Sequence, residues 1–302
     1  MRVAGIDIGT NTVRLLIADI KDNKIDRIIY QNRKITRLGE DFIKTKRLSE
    51  KAILRTILAL KQFKNILDLF SINRYYAVAT SAVREAENGQ EFIKLCDEID
   101  FNVDIIDGEK EAQLTLLGVT SGLEIKSENF LIFDIGGGST EFILKQNDNF
   151  IFKSIKLGVV KLADMYNFSS KISQNLVEDV NKTISDMLKE VDFIQKANQL
   201  IATAGTPTTL AAIHLKLKDY DYKKVHGITL TKNEIEEILK TLSNLTAEER
   251  KNIIGLEPGR EDLIIPGTLI ILQIMQIANI DNITVSDFGV REGVAIYAAS
   301  CH

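Results

Sequence analysis

An α/β fold built from two copies of one domain is what this sequence predicts, and three observations predict it. Apolar strand-like runs alternate with amphipathic helical stretches along all 302 residues. Residues 7–17, DIGTNTVRLLI, return as residues 134–144, DIGGGSTEFIL, which maps Asp7 onto Asp134, Gly9 onto Gly136 and Thr12 onto Ser139. Each copy is followed by another strand-like run, and a chain of this length has enough residues for two hydrophobic cores. Two facing copies would set their turns on opposite walls of an interdomain cleft, a favoured place for a ligand.

The elements follow in order. Val3–Ile8 and Val13–Ile20 read as buried strands around Gly9-Thr10-Asn11-Thr12, and Ile25–Tyr30 as a third. From Ser49, a helix N-cap, apolar and charged residues separate onto two faces as far as Leu69. A strand at Tyr75–Ala79, a helix near Glu91–Ile99, a strand at Val103–Ile106 and a helix from Glu109 to Gly118 complete the first half. The polar stretch Gly122–Asn129 marks the boundary, giving domains at 1–124 and 125–302. The second half carries a strand from Phe130 up to the glycine turn, another after Thr140, and strands at 151–155, 200–204 and 283–286. Its helices fall near 159–166, 174–191, 234–242 and 262–278 and from Arg291.

Composition narrows the class. Hydrophobic residues make up 45% and charged residues 26%, the balance of a soluble globular protein. A net charge of -4 argues against gripping nucleic acid by bulk positive charge, although local donors can still hold a polyanion. The two cysteines, Cys96 and Cys301, share no metal or redox spacing, and Cys96 reads as a buried thiol. His214, His226 and His302 show no ligand spacing either. No apolar run approaches the length of a membrane span, and the N-terminus enters a strand pattern without a leader, so a cytoplasmic location is expected.

The chemistry concentrates in a few segments. Gly136-Gly137-Gly138-Ser139-Thr140 sits between two strands, where amides free of a Cβ can approach an anion; the alternative is a hairpin turn needing positive φ. No helix opens at these glycines, so neither the P-loop nor the dinucleotide fingerprint applies. Asp134 ends an apolar strand, and with Glu141 it could hold Mg²⁺ shared with phosphate oxygens or could brace the turn. Asp7 occupies the matching place in the first copy, with Thr10, Asn11 and Thr12 as donors. Glu109 and Glu111 in a helix's first turn are ordinarily a response to the helix dipole. Arg84, after the strand at Tyr75–Ala79, could fork onto phosphate or pair with a surface carboxylate. Gly205-Thr206-Pro207 opens a helix whose free amides could meet an anion, Pro207 suiting the first helical position. The basic run 32–37 reads as a solvated edge.

Taken together, GIDIGTNT (5–12), RLGE (37–40), TSAVREAEN (80–88), GEKEAQL (108–114), FDIGGGSTE (133–141), ATAGTPTTLAA (202–212) and SDFGVREG (286–293) resemble the exopolyphosphatase and guanosine pentaphosphate phosphohydrolase family. The resemblance spans nearly the whole chain. It implies duplicated ribonuclease H-like domains of the actin, sugar kinase and Hsp70 superfamily, that is, two actin-like ATPase domains. It implies a hydrolase that releases orthophosphate from the terminal phosphoanhydride of inorganic polyphosphate. Glu111 would activate the water, with Glu109 as fallback, and Arg84 would join it in catalysis. Thr10, Asn11, Thr12, Gly136, Gly137, Gly138, Ser139, Gly205 and Thr206 would bind phosphate. Asp134, Glu141 and Asp7 would hold Mg²⁺ or another divalent cation. The pentaphosphate pppGpp is the alternative substrate; a kinase and a non-catalytic polyphosphate or nucleotide sensor are the remaining readings. A homodimer is the family-based expectation, and the length that of a two-domain short form. Ala204 departs from the pattern, standing where glycine is common.

Overall fold

The computed structural model describes residues 1–300; Cys301 and His302 lie outside the described residues. The chain divides into two compact units, Met1–Glu124 together with the stretch from Phe288 onward, and Ile125–Asp287. The break after Glu124 agrees with the expected boundary, but the second domain does not run on to 302. The helix Val290–Ser300 buries Ala295, Ile296 and Ala298 with Val3, Leu16, Ala18 and Ile20, and Val290 and Val294 with Val78, Ile106 and Leu114. Its small residues allow backbone-level approach: a Cβ on Gly5 would stand 2.6 Å from the Ala295 nitrogen, and one on Gly293 would strike the Leu114 carbonyl. Sequence periodicity marks this helix but carries no signal for which sheet it covers.

In the first unit, β1 (Arg2–Ile8), β2 (Thr12–Lys21) and β3 (Lys24–Ile35) form an antiparallel meander, and β4 (Tyr75–Ala79) and β5 (Asp104–Ile105) add in parallel, giving the order β3-β2-β1-β4-β5. β3 is longer than expected and takes in part of the basic run, which does occupy a sheet edge. Helix Glu50–Leu69 starts where the sequence places it, because the Ser49 side chain accepts from the Ala52 amide. Phe63, Phe92, Phe101 and Leu60 close the core on that face.

The second unit repeats the plan. β6 (Asn129–Ile135), β7 (Thr140–Gln146) and β8 (Asn149–Ile155) form the meander, and β9 (Gln199–Thr203) is parallel to β6. β10 (Thr229–Thr231) then precedes β11 (Asn282–Ser286) in the chain, and the sheet order is β10-β11-β9-β6-β7-β8. Read from β8, the order β8-β7-β6-β9-β11 reproduces β3-β2-β1-β4-β5, with β10 as an addition at the far edge. This is the duplicated ribonuclease H-like arrangement. Register repeats as well: Asp7 stands opposite Arg14, and Asp134 opposite Glu141. β10 escapes the sequence reading because three residues show no periodicity. It leads into helix Lys232–Ser243 through a capping box of Thr231 and Glu234.

Candidate functional site

The two glycine-containing turns are built alike. The Gly9 amide donates to the Thr12 carbonyl at 3.0 Å, and the Gly136 amide to the Ser139 carbonyl at 2.9 Å. In the first, the carbonyls are drawn away from the turn: Thr36 and Arg37 donate to the Asn11 carbonyl at 3.1 and 2.9 Å, and Gly39 to the Thr10 carbonyl at 2.9 Å. In the second, Val159 donates to the Gly136 carbonyl at 3.1 Å and Val160 to that of Gly137 at 2.9 Å. The amides of Thr10, Asn11, Gly137, Gly138 and Ser139 donate to no protein acceptor among the described residues. Each turn is therefore held by its carbonyls and presents its amides, as an anion cradle requires.

None of Gly136, Gly137 and Gly138 takes a positive φ, so the hairpin explanation of these glycines does not hold. At Gly136 and at Gly158, which packs on the turn, closeness is a reason instead. A Cβ on Gly136 would stand 3.0 Å from the Ser139 carbonyl, and one on Gly158 would land on the Gly137 carbonyl. The RLGE segment serves the first turn in the same way: a Cβ on Gly39 would land on the Thr10 methyl, 3.5 Å from Ala82 Cβ. Three of the sequence motifs thus meet at Gly39.

Beside the first turn, β4 runs parallel to β1, and the Thr80 amide reaches the Ile8 carbonyl at 3.2 Å. Helix Ser81–Glu85 follows and carries Arg84. Helix Gly108–Gly122 is capped by Asp107, whose side chain accepts from the Lys110 amide at 2.7 Å. Glu111 lies in its first turn, and its carboxylate receives Arg84 Nη1 at 3.0 Å. That nitrogen also donates to the Ile106 carbonyl at 2.8 Å. The Glu111 side chain is 9% exposed and that of Arg84 21%. A buried carboxylate is tolerable here because the guanidinium and the helix dipole compensate it. Arg84 therefore pairs with the candidate base and not with a surface carboxylate.

The carboxylates of the two turns differ in their surroundings. Asp7 is buried opposite Arg14, and burial pushes its carboxyl above the usual carboxylate range; Arg14 and Arg291 pull the other way and Glu292 adds to the rise. Asp134, 7% exposed, stands opposite Glu141, 1% exposed, and Ser154 donates to Glu141 Oε1 at 2.7 Å. On the other side Asp134 neighbours Thr203, and Thr203 neighbours Ser286, so one polar row crosses the second sheet. Among the described residues no three potential ligands converge on a metal. Two adjacent carboxylates form a hard oxygen pair that fits Mg²⁺, which commonly takes one or two protein carboxylates and leaves its other positions to water and phosphate.

At the end of β9, helix Gly205–His214 begins at Gly205, two residues before Pro207, so Pro207 is not its first residue. A Cβ on Gly267 would collide with the Thr206 side chain, which is 2% exposed. Thr206 can thus offer an anion its amide, while its hydroxyl faces the neighbouring helix. Against Gly205 lies the guanidinium of Arg260, where a Cβ would have to be, with Nε of Arg260 on Glu257 at 2.6 Å. Arg260 was missed in the sequence because GRED before an apolar helix reads as an exposed start. Arg14 and Arg291 were missed for a related reason: only strand register and the return of the last helix bring them near Asp7.

The sequence model of the Ppx/GppA phosphatase family matches residues 16–301. A bifunctional 3-dehydroquinate synthase/phosphatase of Fusobacterium nucleatum is 39% identical over 94% of this chain, and the chain spans only 44% of that relative's length. Exopolyphosphatase 2 of Mycobacterium tuberculosis is 28% identical, the match covering 99% of this chain and 98% of that protein. Among solved structures, the Aquifex aeolicus Ppx/GppA family member superposes with a TM-score of 0.83 at 35% identity, covering 99% of this chain and 98% of its own. An exopolyphosphatase from Cytophaga hutchinsonii gives 0.90 at 27% identity, covering 100% and 99%. The paired turns, the Arg84–Glu111 contact and the carboxylate pair on β6 and β7 are set in a chain that matches this family along almost its entire length: it belongs to the Ppx/GppA phosphatase family.

Proposed function

We propose that this chain is an exopolyphosphatase, releasing orthophosphate from the end of inorganic polyphosphate. The observation that carries the reading is the 3.0 Å pair of Glu111 and Arg84 beside the first turn. Glu111 holds the attacking water and takes its proton, and Arg84 keeps the carboxylate aimed while its remaining donors meet the phosphoryl oxygens. The amides of Thr10 and Asn11 in the first unit, and of Gly137, Gly138 and Ser139 in the second, hold phosphate without a charge penalty. Gly205 and Thr206 add helix N-terminal amides, with Arg260 against them. Asp134 and Glu141 would hold Mg²⁺, which when bound neutralises charge on the phosphoryl oxygens. Asp7, with arginines already about it, is the weaker metal ligand. A cytoplasmic setting, pppGpp as second substrate and a homodimer belong to the same proposal. No helix among the described residues is long and apolar enough to cross a membrane.

The test is phosphate release with Mg²⁺ from long-chain polyphosphate, short-chain polyphosphate and pppGpp at matched terminal phosphate. Fastest release from polyphosphate is expected. Preference for pppGpp would transfer the same residues to alarmone turnover, and no release from any substrate would overturn the proposal.

A further inference from the structure

Two open sheets have four edges, and three of them are protected against pairing with another chain. β5 spans two residues and β10 three, too few for a stable ladder. β3 is long, but its pairing with β2 is broken by register shifts at Ile17/Ala18 and Asp19/Ile20, and it carries Lys24, Asp26, Arg27, Arg33 and Lys34. Bulges, short length and charge are the usual means by which an edge is kept from recruiting a strand.

β8 has none of these except Lys153. Its seven residues, NFIFKSI, pair with β7 without a register shift, leaving the other side of the strand as the sheet's edge. Phe150 is 42% exposed and Ile151 37%, and consecutive strand residues point to opposite faces, so this edge is apolar on both. Phe150 and Phe152 lie on one face with their rings stacked at 6.2 Å.

We propose that β8 pairs with β8 of a second copy, antiparallel and centred on Ile151, joining the two six-stranded sheets into one. The strand complements itself in this register. Phe150 of each copy falls opposite Phe152 of the other, gathering four rings on one face, and Ile151 meets its own twin on the other. Aromatic and β-branched cross-strand pairs are those that stabilise a ladder. Lys153 falls opposite Asn149 and Asp148 opposite Ser154, so no like charges face each other. Because the register is symmetric, the contact closes after two copies and does not propagate. A foreign strand would meet Lys153 and Asp148 without that matching.

The test is sedimentation of the full chain over a range of concentrations, beside Ile151→Lys and Ile151→Cys. The unsubstituted chain is expected to pass from 33.8 kDa toward twice that mass as concentration rises. Ile151→Lys sets two ammonium groups opposite each other and should stay monomeric, with thermal unfolding unchanged at dilutions where the unsubstituted chain is also monomeric. Ile151→Cys should form an intermolecular disulfide under mild oxidation, since directly opposite residues stand about 4.5–5.5 Å apart at Cα, while the unsubstituted chain does not. A monomer at every concentration, or a dimer that Ile151→Lys leaves intact, would overturn the proposal. Phosphate release assayed on the monomeric variant keeps this outcome separate from the catalytic reading.

Discussion

Arg84 and Glu111, 27 residues apart and on different helices, are joined by a 3.0 Å contact in which the same arginine nitrogen also holds the Ile106 carbonyl. One nitrogen of Arg84 thus serves two acceptors, and the Glu111 carboxylate is aimed by a group that is itself tied to the backbone. Replacing Glu111 by Gln keeps shape and hydrogen bonding but removes the base. Turnover should fall about 10²-fold or more, with substrate affinity largely kept. Steady-state kinetics together with a direct binding measurement will check this, and full retained activity would remove Glu111 from the role. Arg84→Lys should keep more activity than Arg84→Ala but less than the parent, because an ammonium keeps the charge but loses the guanidinium nitrogens left over for the phosphoryl oxygens once Nη1 is engaged.

Ala204 has φ 77 and ψ -164, a backbone region that is nearly confined to glycine and costs a residue with a Cβ about 1–3 kcal/mol. It sits between Thr203, in the polar row, and Gly205, under Arg260. Ala204→Gly should relieve the strain. After the entropy lost by introducing a glycine, the net gain should be about 1 kcal/mol, read as a rise of roughly 2–4 °C in thermal midpoint. An unchanged or lower midpoint would count against a strained turn.

Much of this was visible in the sequence, for identifiable reasons. The two DIG turns declare themselves because Asp7 and Asp134 end apolar strands and the glycines recur at one spacing. Gly205 and Glu111 lie in first helical turns, which local residue chemistry marks. What stayed hidden depends on contacts between distant segments. That Arg14 faces Asp7 while Glu141 faces Asp134 is a matter of strand register. That Arg260 covers Gly205, and that the last helix rejoins the first unit, is a matter of tertiary packing, to which periodicity is blind.

Asp7 offers a pH test whose sign is fixed. Burial raises its carboxyl in the folded state above the unfolded value, so the folded state holds this proton more tightly. Below the unfolded value, about 3.9, the group costs nothing; stability is lost as pH rises from there through the raised folded value. Asp7→Asn should therefore be more stable than the parent at neutral pH, and the advantage should vanish below about pH 4. Denaturant unfolding at several pH values measures both limbs. An Asp7→Asn protein less stable at neutral pH would mean that Arg14 and Arg291 compensate the carboxylate in full. Asp7 would then act as their structural counter-ion.

Arg260 supplies the sharpest separation of binding from chemistry. Its guanidinium is set against Gly205 at a helix start, and Glu257 holds it through Nε. If it grips a phosphate that is not being cleaved, Arg260→Ala should raise KM more than it lowers kcat, since such a contact is made equally in the ground and transition states. Removing a hydrogen bond to a charged group costs about 1.5–3 kcal/mol, or roughly 10- to 150-fold in KM. Arg260→Lys should recover little, because an ammonium on the shorter side chain cannot lie flat on Gly205 while holding Glu257. A fall in kcat with KM unchanged would instead place Arg260 at the phosphorus under attack.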